Sequence, residues 1–424
     1  MEVSGLASGL VIGFRALGRD ADLVLGYRHP FGYETFGDVS RVARLWAKVG
    51  GLRATSEVLF FKVFWVLLHR VVGWIVFLRC LPAYGVFIFT FGQSFTGGRL
   101  ELLLLRLLRK KVVFIYAGSD SRPPYLDGGS VPVSLDSNGV ARIVRMSRKR
   151  FRMVRFQEKY ADYVVNSPSS AQFHSKKFIN WFSMGVPVPF AASGCKSLTR
   201  SDGVIRILHS PSNPLAKGSD LIKAAVENLS KKGHLIELVL VSGLPNSVVR
   251  ESIESCDFVV DQVYSDSPMA VFAAEAASFS KPAVVAGYYA QEICSVVPPE
   301  NMPPSLYVMP DKLESAIEKM ISSSEFRETL GRQANEFIIK RWSCIEVAKR
   351  YSDLLAGNAP EAWYFYPSCL NYVGGWGISA DRIKSVVSQI IENYGAEALF
   401  LDDQPILRGE LCQLAALPVE AQSA

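Results

Sequence analysis

No two cysteines of the chain stand in a C-x-x-C pair, and the seven present (Cys80, Cys195, Cys256, Cys294, Cys344, Cys369 and Cys412) show no metal-ligand spacing. That argues against a zinc site and against a disulfide framework, and it fits a reducing cytoplasm. No G-x-G-x-x-G occurs, which counts against a dinucleotide-dependent oxidoreductase. The first thirty residues carry no charged-then-apolar leader, so no secretion signal is expected. The most apolar segment, Phe60 to Leu81, is interrupted by Lys62, His69, Arg70 and Arg79, leaving Val71 to Leu78 as its longest uncharged run. A bilayer span asks for ~20 apolar residues. Two readings stay open for this segment: a buried or partly buried core helix, and a helix lying in the plane of a membrane.

What is present is a globular composition. Hydrophobic residues make up 49% and charged residues 20% of 424, enough apolar surface for two or three cores and too much for a disordered chain. Forty-six basic residues against forty acidic ones give a net charge of +6, which leaves attraction to phosphate or to an anionic membrane face open. The basic excess is densest from Arg142 to Lys159, interleaved with Phe151, Met153 and Phe156. That spacing predicts a solvated amphipathic helix before it predicts a nucleic-acid or lipid patch.

From Gly5 and Gly9 an amphipathic stretch runs to Leu17, followed by a strand-like Asp22 to Leu25. An α/β domain normally opens on a strand, and none precedes this stretch, so a clipped N-terminus or misplaced start is expected. Short apolar runs at Val86 to Thr90, Val112 to Tyr116 and Tyr163 to Asn166 alternate with helical patterns, which implies parallel strands joined by crossover helices. Around Gly185 to Gly203 the composition turns to Pro, Ser and Gly, as in a linker. The alternation then restarts, with strands at 205–209, 236–241, 258–260, 283–286 and 306–309. The expected fold is α/β, with two doubly wound Rossmann-like domains (1–190 and 191–356) facing a cleft and a C-terminal helical appendix (357–424).

In such sheets ligands bind at the carboxyl ends of the strands. After the strand ending at His209 comes HSPSNPLAKGSD, where Lys217 precedes Gly218 and a helix start. A helix N-terminus with a lysine beside it suits a diphosphate, and a surface lysine with no ligand stands as the other reading. His209 faces the cleft or is a structural histidine. After 258–260, Ser267 and Pro268 read as N-cap and first-turn proline of a helix, with Glu275 about two turns in among alanines. A carboxylate in so apolar a setting needs a partner, either ligand hydroxyls or a neighbouring cation. In the first domain AGSDSRPPY offers Asp120 to orient a hydroxyl and Arg122 to hold an anion, or simply a structural turn. FGQSFTGG places Gln93 and Ser94 at an earlier strand end.

These segments, with DFVVDQVYSDSPMAVFAAEAASFSKPAVV and YGAEALFLDDQP, resemble glycosyltransferase family four, and within it the bacterial enzymes of surface-polysaccharide assembly. The resemblance implies a GT-B fold and a retaining, metal-independent transfer from a nucleotide-diphosphate sugar, taken as co-substrate with no further cofactor. The acceptor it implies is a cell-surface glycan or a lipid-linked molecule, at the inner face of the cytoplasmic membrane, with peripheral membrane contact and no nucleic acid. It assigns the leaving diphosphate to Lys217 and the nucleotide ribose or donor sugar to Glu275; together with the loop readings, catalysis is expected at Lys217, Asp120 and Glu275, the donor side at Lys217, Gly218, His209, Ser267, Met269, Ala270 and Glu275, and the acceptor side at Gly5, Gln93, Gly118, Ser119, Asp120 and Arg122. Three departures accompany it: Ser267 stands for the first of the family's paired glutamates, Ser210, Pro211 and Ser212 occupy the neighbourhood of an arginine, and Ala117 replaces a histidine. A nucleotide-sugar epimerase of the same fold and a degenerate binder without turnover are the alternatives.

Overall fold

The computed structural model describes residues 5–27, 40–188 and 203–416. The boundary expected at 190/191, with most of the linker around it, lies outside the described residues. The first sheet runs β1 (Val86–Thr90), β2 (Lys111–Ile115), β3 (Tyr163–Asn166) and β4 (Phe178–Asn180), all parallel and in that order. The second holds β5 (Ile205–His209), β6 (Ile236–Leu240), β7 (Phe258–Val260), β8 (Ala283–Ala286) and β9 (Leu306–Val308), also parallel, in the order β6-β5-β7-β8-β9. Parallel strands are covered on both faces, which is why they read as unbroken apolar runs. The sequence expectation of two Rossmann-like parallel sheets is met, and among the described residues the reversal of strand order that marks double winding falls in the second.

The helices of the first half are α1 (Leu6–Ala16), α2 (Arg41–Thr55), α3 (Leu59–Ala83), α4 (Arg99–Leu107), α5 (Ser137–Tyr160) and α6 (Trp181–Met184). Those of the second are α7 (Pro214–Lys217), α8 (Ser219–Lys231), α9 (Asn246–Ser255), α10 (Val271–Ser278), α11 (Ile293–Val296), α12 (Leu313–Ser322), α13 (Ser324–Phe337), α14 (Cys344–Ala356), α15 (Ala380–Tyr394) and α16 (Pro405–Ala416). Successive strand side chains point to opposite faces, so Val113 and Ile115 pack under α1 and α14, whereas Val112 and Phe114 meet α4, α5 and α15. In the second sheet Leu208, Val259 and Val285 join α10 and α13, while Ile207, Phe258 and Val284 join α8 and α12.

Three expectations are corrected here. Residues 22–25 form no strand; Leu23 and Leu25 are buried in an extended segment against Val11 of α1. Helix α14, expected in the second domain, crosses to the first sheet, where Val347, Ala348, Tyr351 and Leu354 pack with α1. The two helices approach so closely that a Cβ on Gly13 would lie 2.0 Å from the Cys344 carbonyl oxygen. The expected appendix is built into the first domain: β10 (Tyr364–Phe365) pairs antiparallel with β4, and Ile383, Val387, Leu399 and Leu407 share a core with Phe114 and Tyr125. Helix α3 is partly buried, as one of its two readings has it: His69, Val72, Gly73, Val76 and Phe77 face the protein, only 22% of its most apolar window is buried, and by length and hydropathy it is long enough to cross a membrane. The basic stretch forms α5 with one buried face (Ile143, Val144, Ser147, Val154), and its Arg155 pairs with Asp403.

Candidate functional site

The strand order of the second sheet reverses between β5 and β7, and doubly wound sheets hold ligands outside the carboxyl ends at that switch point. A cavity of about 360 Å³ opens there. Its walls come from the residues after β5 (Ser210 to Ser212), after β7 (Gln262, Asp266, Ser267), after β2 (Tyr116 to Ser119) and after β3 (Ser167, Ser170). Lys217, Ala270 and Glu275 line it from the second half of the chain, and Gly118, Ser119 and Arg122 from the first. Seven of the sequence-selected residues thus meet in one space.

Lys217 closes the short helix α7, which Asn213 caps by accepting from the Ala216 amide at 3.2 Å. Its Nζ donates to Asp261 Oδ1 at 3.0 Å, and that aspartate is 1% exposed. Gly218 then turns the chain into α8 with φ 68°, and a Cβ added there would lie 2.8 Å from Val263 Cβ. Only glycine meets both demands. Gly218→Ala should therefore cost about 2 kcal/mol from left-handed backbone strain and crowding, seen as a lower urea midpoint with unchanged slope; a midpoint within error of wild type would remove this account.

Glu275 is 4% exposed. Asn246 donates to its Oε1 at 2.9 Å, yet burial among α10 alanines dominates and pushes the carboxyl up to about 7, the Asn246 bond and the Arg250 charge only partly opposing it. The helix holding it starts later than Ser267-Pro268 predicts. Ser267 lies in a turn, its Oγ taking the Met269 amide at 3.4 Å, and α10 begins at Val271 with Ala270 as an N-cap that makes no side-chain bond. Ala270, Val271 and Phe272 line the cavity, so the uncapped helix end faces it, one turn from Glu275. Met269 is fully buried and does not line the cavity.

Other assignments land elsewhere. His209 is fully buried: Nδ1 donates to the Val260 carbonyl at 2.8 Å, leaving Nε2 to accept from Ser219 Oγ at 2.8 Å. Burial holds its pKa below the usual value. The ring fastens β5, β7 and α8 together and leaves no nitrogen for a ligand. Arg122 enters the cavity but is 2% exposed and already paired with Asp266, which also accepts from Ser169 Oγ at 3.1 Å. Asp120 does not line the cavity. Its Oδ1 accepts from the Ala117 amide at 2.9 Å, which sets the turn presenting Gly118 and Ser119. Its Oδ2 is buried without a hydrogen-bond partner among the described residues, and burial raises the carboxyl to about 6 against the pull of Arg150 and Arg122.

Gly5 sits at the N-terminus of α1, and its neighbour Leu6 reaches the cavity instead. Gln93 lines a second, larger cavity of about 850 Å³ on the first domain, walled by α1, residues 19–27, α3 and β1. The two cavities adjoin: Leu6 and Phe91 line the smaller, Ala7 and Gly92 the larger. Sequence reasoning did not single out Asp261, Asp266, Asn246 or Trp376. Asp261 directly follows β7 and Asp266 stands in the loop after it, so both carried a usable signal; Trp376 arrives from the C-terminal segment and carried none.

No family model and no curated protein sequence matches the chain. Among solved structures it is similar to Alr3699/HepE of Anabaena in complex with UDP-glucose, at 12% identity over 68% of this chain and 82% of that one, with TM-score 0.41. It is also similar to a trehalose-6-phosphate synthase (11%, 85% and 98%, 0.47) and to a putative UDP-N-acetylglucosamine 2-epimerase from Listeria monocytogenes (10%, 69% and 80%, 0.35). The two-sheet architecture stands on this chain's own strand order and register.

Proposed function

We propose that the chain is a GT-B glycosyltransferase that takes a sugar from a nucleotide-diphosphate sugar held at the switch point of the second sheet and passes it to an acceptor bound on the first domain. The observation that carries this reading is the convergence of Lys217, Glu275 and the open N-terminus of α10 on one cavity whose far wall is the Gly118-Ser119 turn. As the glycosidic bond breaks, negative charge grows on the leaving diphosphate, and a lysine with free helix amides stabilises that charge more than it stabilises the bound donor. Glu275, when ionised, accepts from ribose or sugar hydroxyls. Asp120 serves by fixing the acceptor-side turn. Retention of anomeric configuration, independence of metal, a cell-surface glycan or lipid-linked acceptor and a station at the inner face of a bacterial cytoplasmic membrane complete the proposal.

A second reading, a nucleotide-sugar binder without turnover, draws support from the pairing of both cavity cations with aspartates, Lys217 with Asp261 and Arg122 with Asp266. A panel of nucleotide sugars separates the readings. The correct donor at 100 times its Kd should stabilise the protein by about 2.7 kcal/mol, and donor should then be consumed only with acceptor present. Stabilisation without consumption selects the binder, consumption without acceptor selects an epimerase, and no stabilisation by any nucleotide sugar rejects all three.

A further inference from the structure

The exposed side of α3 carries Phe60, Phe64, Leu67, Val71, Ile75 and Leu78, with side chains exposed from 46% for Ile75 to 76% for Phe60. At about 100° per residue these six fall within one arc narrower than a quarter-turn and form a stripe about 27 Å long. Soluble monomers rarely leave so long an apolar surface uncovered. Arg70 and Arg79, both exposed, lie about 90° to either side of the stripe. The neighbouring α2 adds Arg41, Arg44 and Lys48 on its own exposed side. From residue 41 to 110 there are eleven Lys and Arg against two acids, Glu57 and Glu101, and Glu101 is fully buried.

We propose that α3 is the membrane-docking element of this protein and lies in the plane of an anionic lipid bilayer, its apolar stripe among the acyl chains and its flanking arginines at the headgroups. Charge decides the occupant. A second copy docking through the same face would bring two basic surfaces together, whereas anionic lipid answers both the apolar stripe and the cations. A transmembrane span does not fit, because the opposite side of α3 is committed to protein. His69, Val72, Gly73, Val76 and Phe77 are buried, and Trp46 of α2 stacks on His69 at 5.1 Å and donates to its carbonyl at 3.0 Å. Arg70 also lines the 850 Å³ cavity, so the lipid surface and that cavity share a residue. The inference goes beyond sugar transfer and stands if that reading falls.

The test is flotation of the full chain with vesicles of phosphatidylcholine alone or mixed with phosphatidylglycerol. Binding to the anionic vesicles, weakened by salt, is expected. The double variant Phe64→Ser, Leu67→Ser should partition at least about tenfold less with an unchanged unfolding midpoint, and Arg70→Gln, Arg79→Gln should lose the preference for phosphatidylglycerol. No binding to either vesicle, binding kept by the serine variant, or concentration-dependent dimers lost in that variant would each overturn the proposal, as would resistance of the membrane-bound protein to carbonate extraction, the mark of a span.

Discussion

Lys217→Ala is expected to slow sugar transfer by about tenfold to 150-fold at saturating donor while leaving donor affinity within about threefold. The contact is charge-assisted, worth ~1.5 to 3 kcal/mol, and it strengthens as charge builds on the departing diphosphate, so the loss falls on the transition state. One complication is structural. Removing the lysine leaves Asp261, 1% exposed and with an Oδ2 that already lacks a partner among the described residues, as a buried unpaired charge, and breaking such a pair is itself destabilising. The double variant Lys217→Ala, Asp261→Asn distinguishes the two effects, since it restores stability and does not restore rate. Single-turnover rates and urea midpoints on both variants give the answer: recovery of rate in the double variant would make Lys217 a structural partner of Asp261.

The strands were the most legible part of the sequence. β1, β3, β5, β7 and β8 fall where their apolar runs begin and end, because a strand buried on both faces has no alternation to blur its edges. β4 and β10 escaped notice: they are three and two residues long, and β10 gains its strand character only by reaching β4 from nearly two hundred residues away. The Ser267-Pro268 pair imitates a helix start, but the serine hydroxyl is engaged with Met269 and the helix waits until Val271. Hydropathy identified α3 as apolar and was silent on what covers it, which only the packing of α2 against its other side decides. In the site, Lys217 was legible because it stands just before Gly218 and a helix start, and Glu275 because it is a lone acid among alanines. The partners of Lys217 and Arg122 were not, for Asp261 and Asp266 acquire those roles only when distant loops close on one another.

Glu275→Gln is expected to stabilise the ligand-free protein at pH 8 and to change nothing below about pH 4.5. The folded carboxyl titrates near 7 against 4.5 for the free group, with burial as the leading cause. The native state therefore holds the proton more tightly, so the protonated acid favours folding below 4.5 and that contribution is lost as pH rises through 7. At pH 8 the buried carboxylate costs about 3 kcal/mol relative to a neutral amide of the same shape. Thermal unfolding of both proteins across this range reads the difference directly, and a gap that does not widen between pH 5 and 8 would show that burial does not govern this group. The donor should reverse the ranking. A nucleotide sugar that supplies hydroxyl donors to the ionised carboxylate offsets its desolvation, so at pH 8 it should stabilise the native protein by more than it stabilises the glutamine variant, whereas equal gains would leave Glu275 without a part in donor binding. A carboxylate kept at a cost in the empty protein and satisfied only by ligand is what a binding residue looks like when function and stability pull in opposite directions.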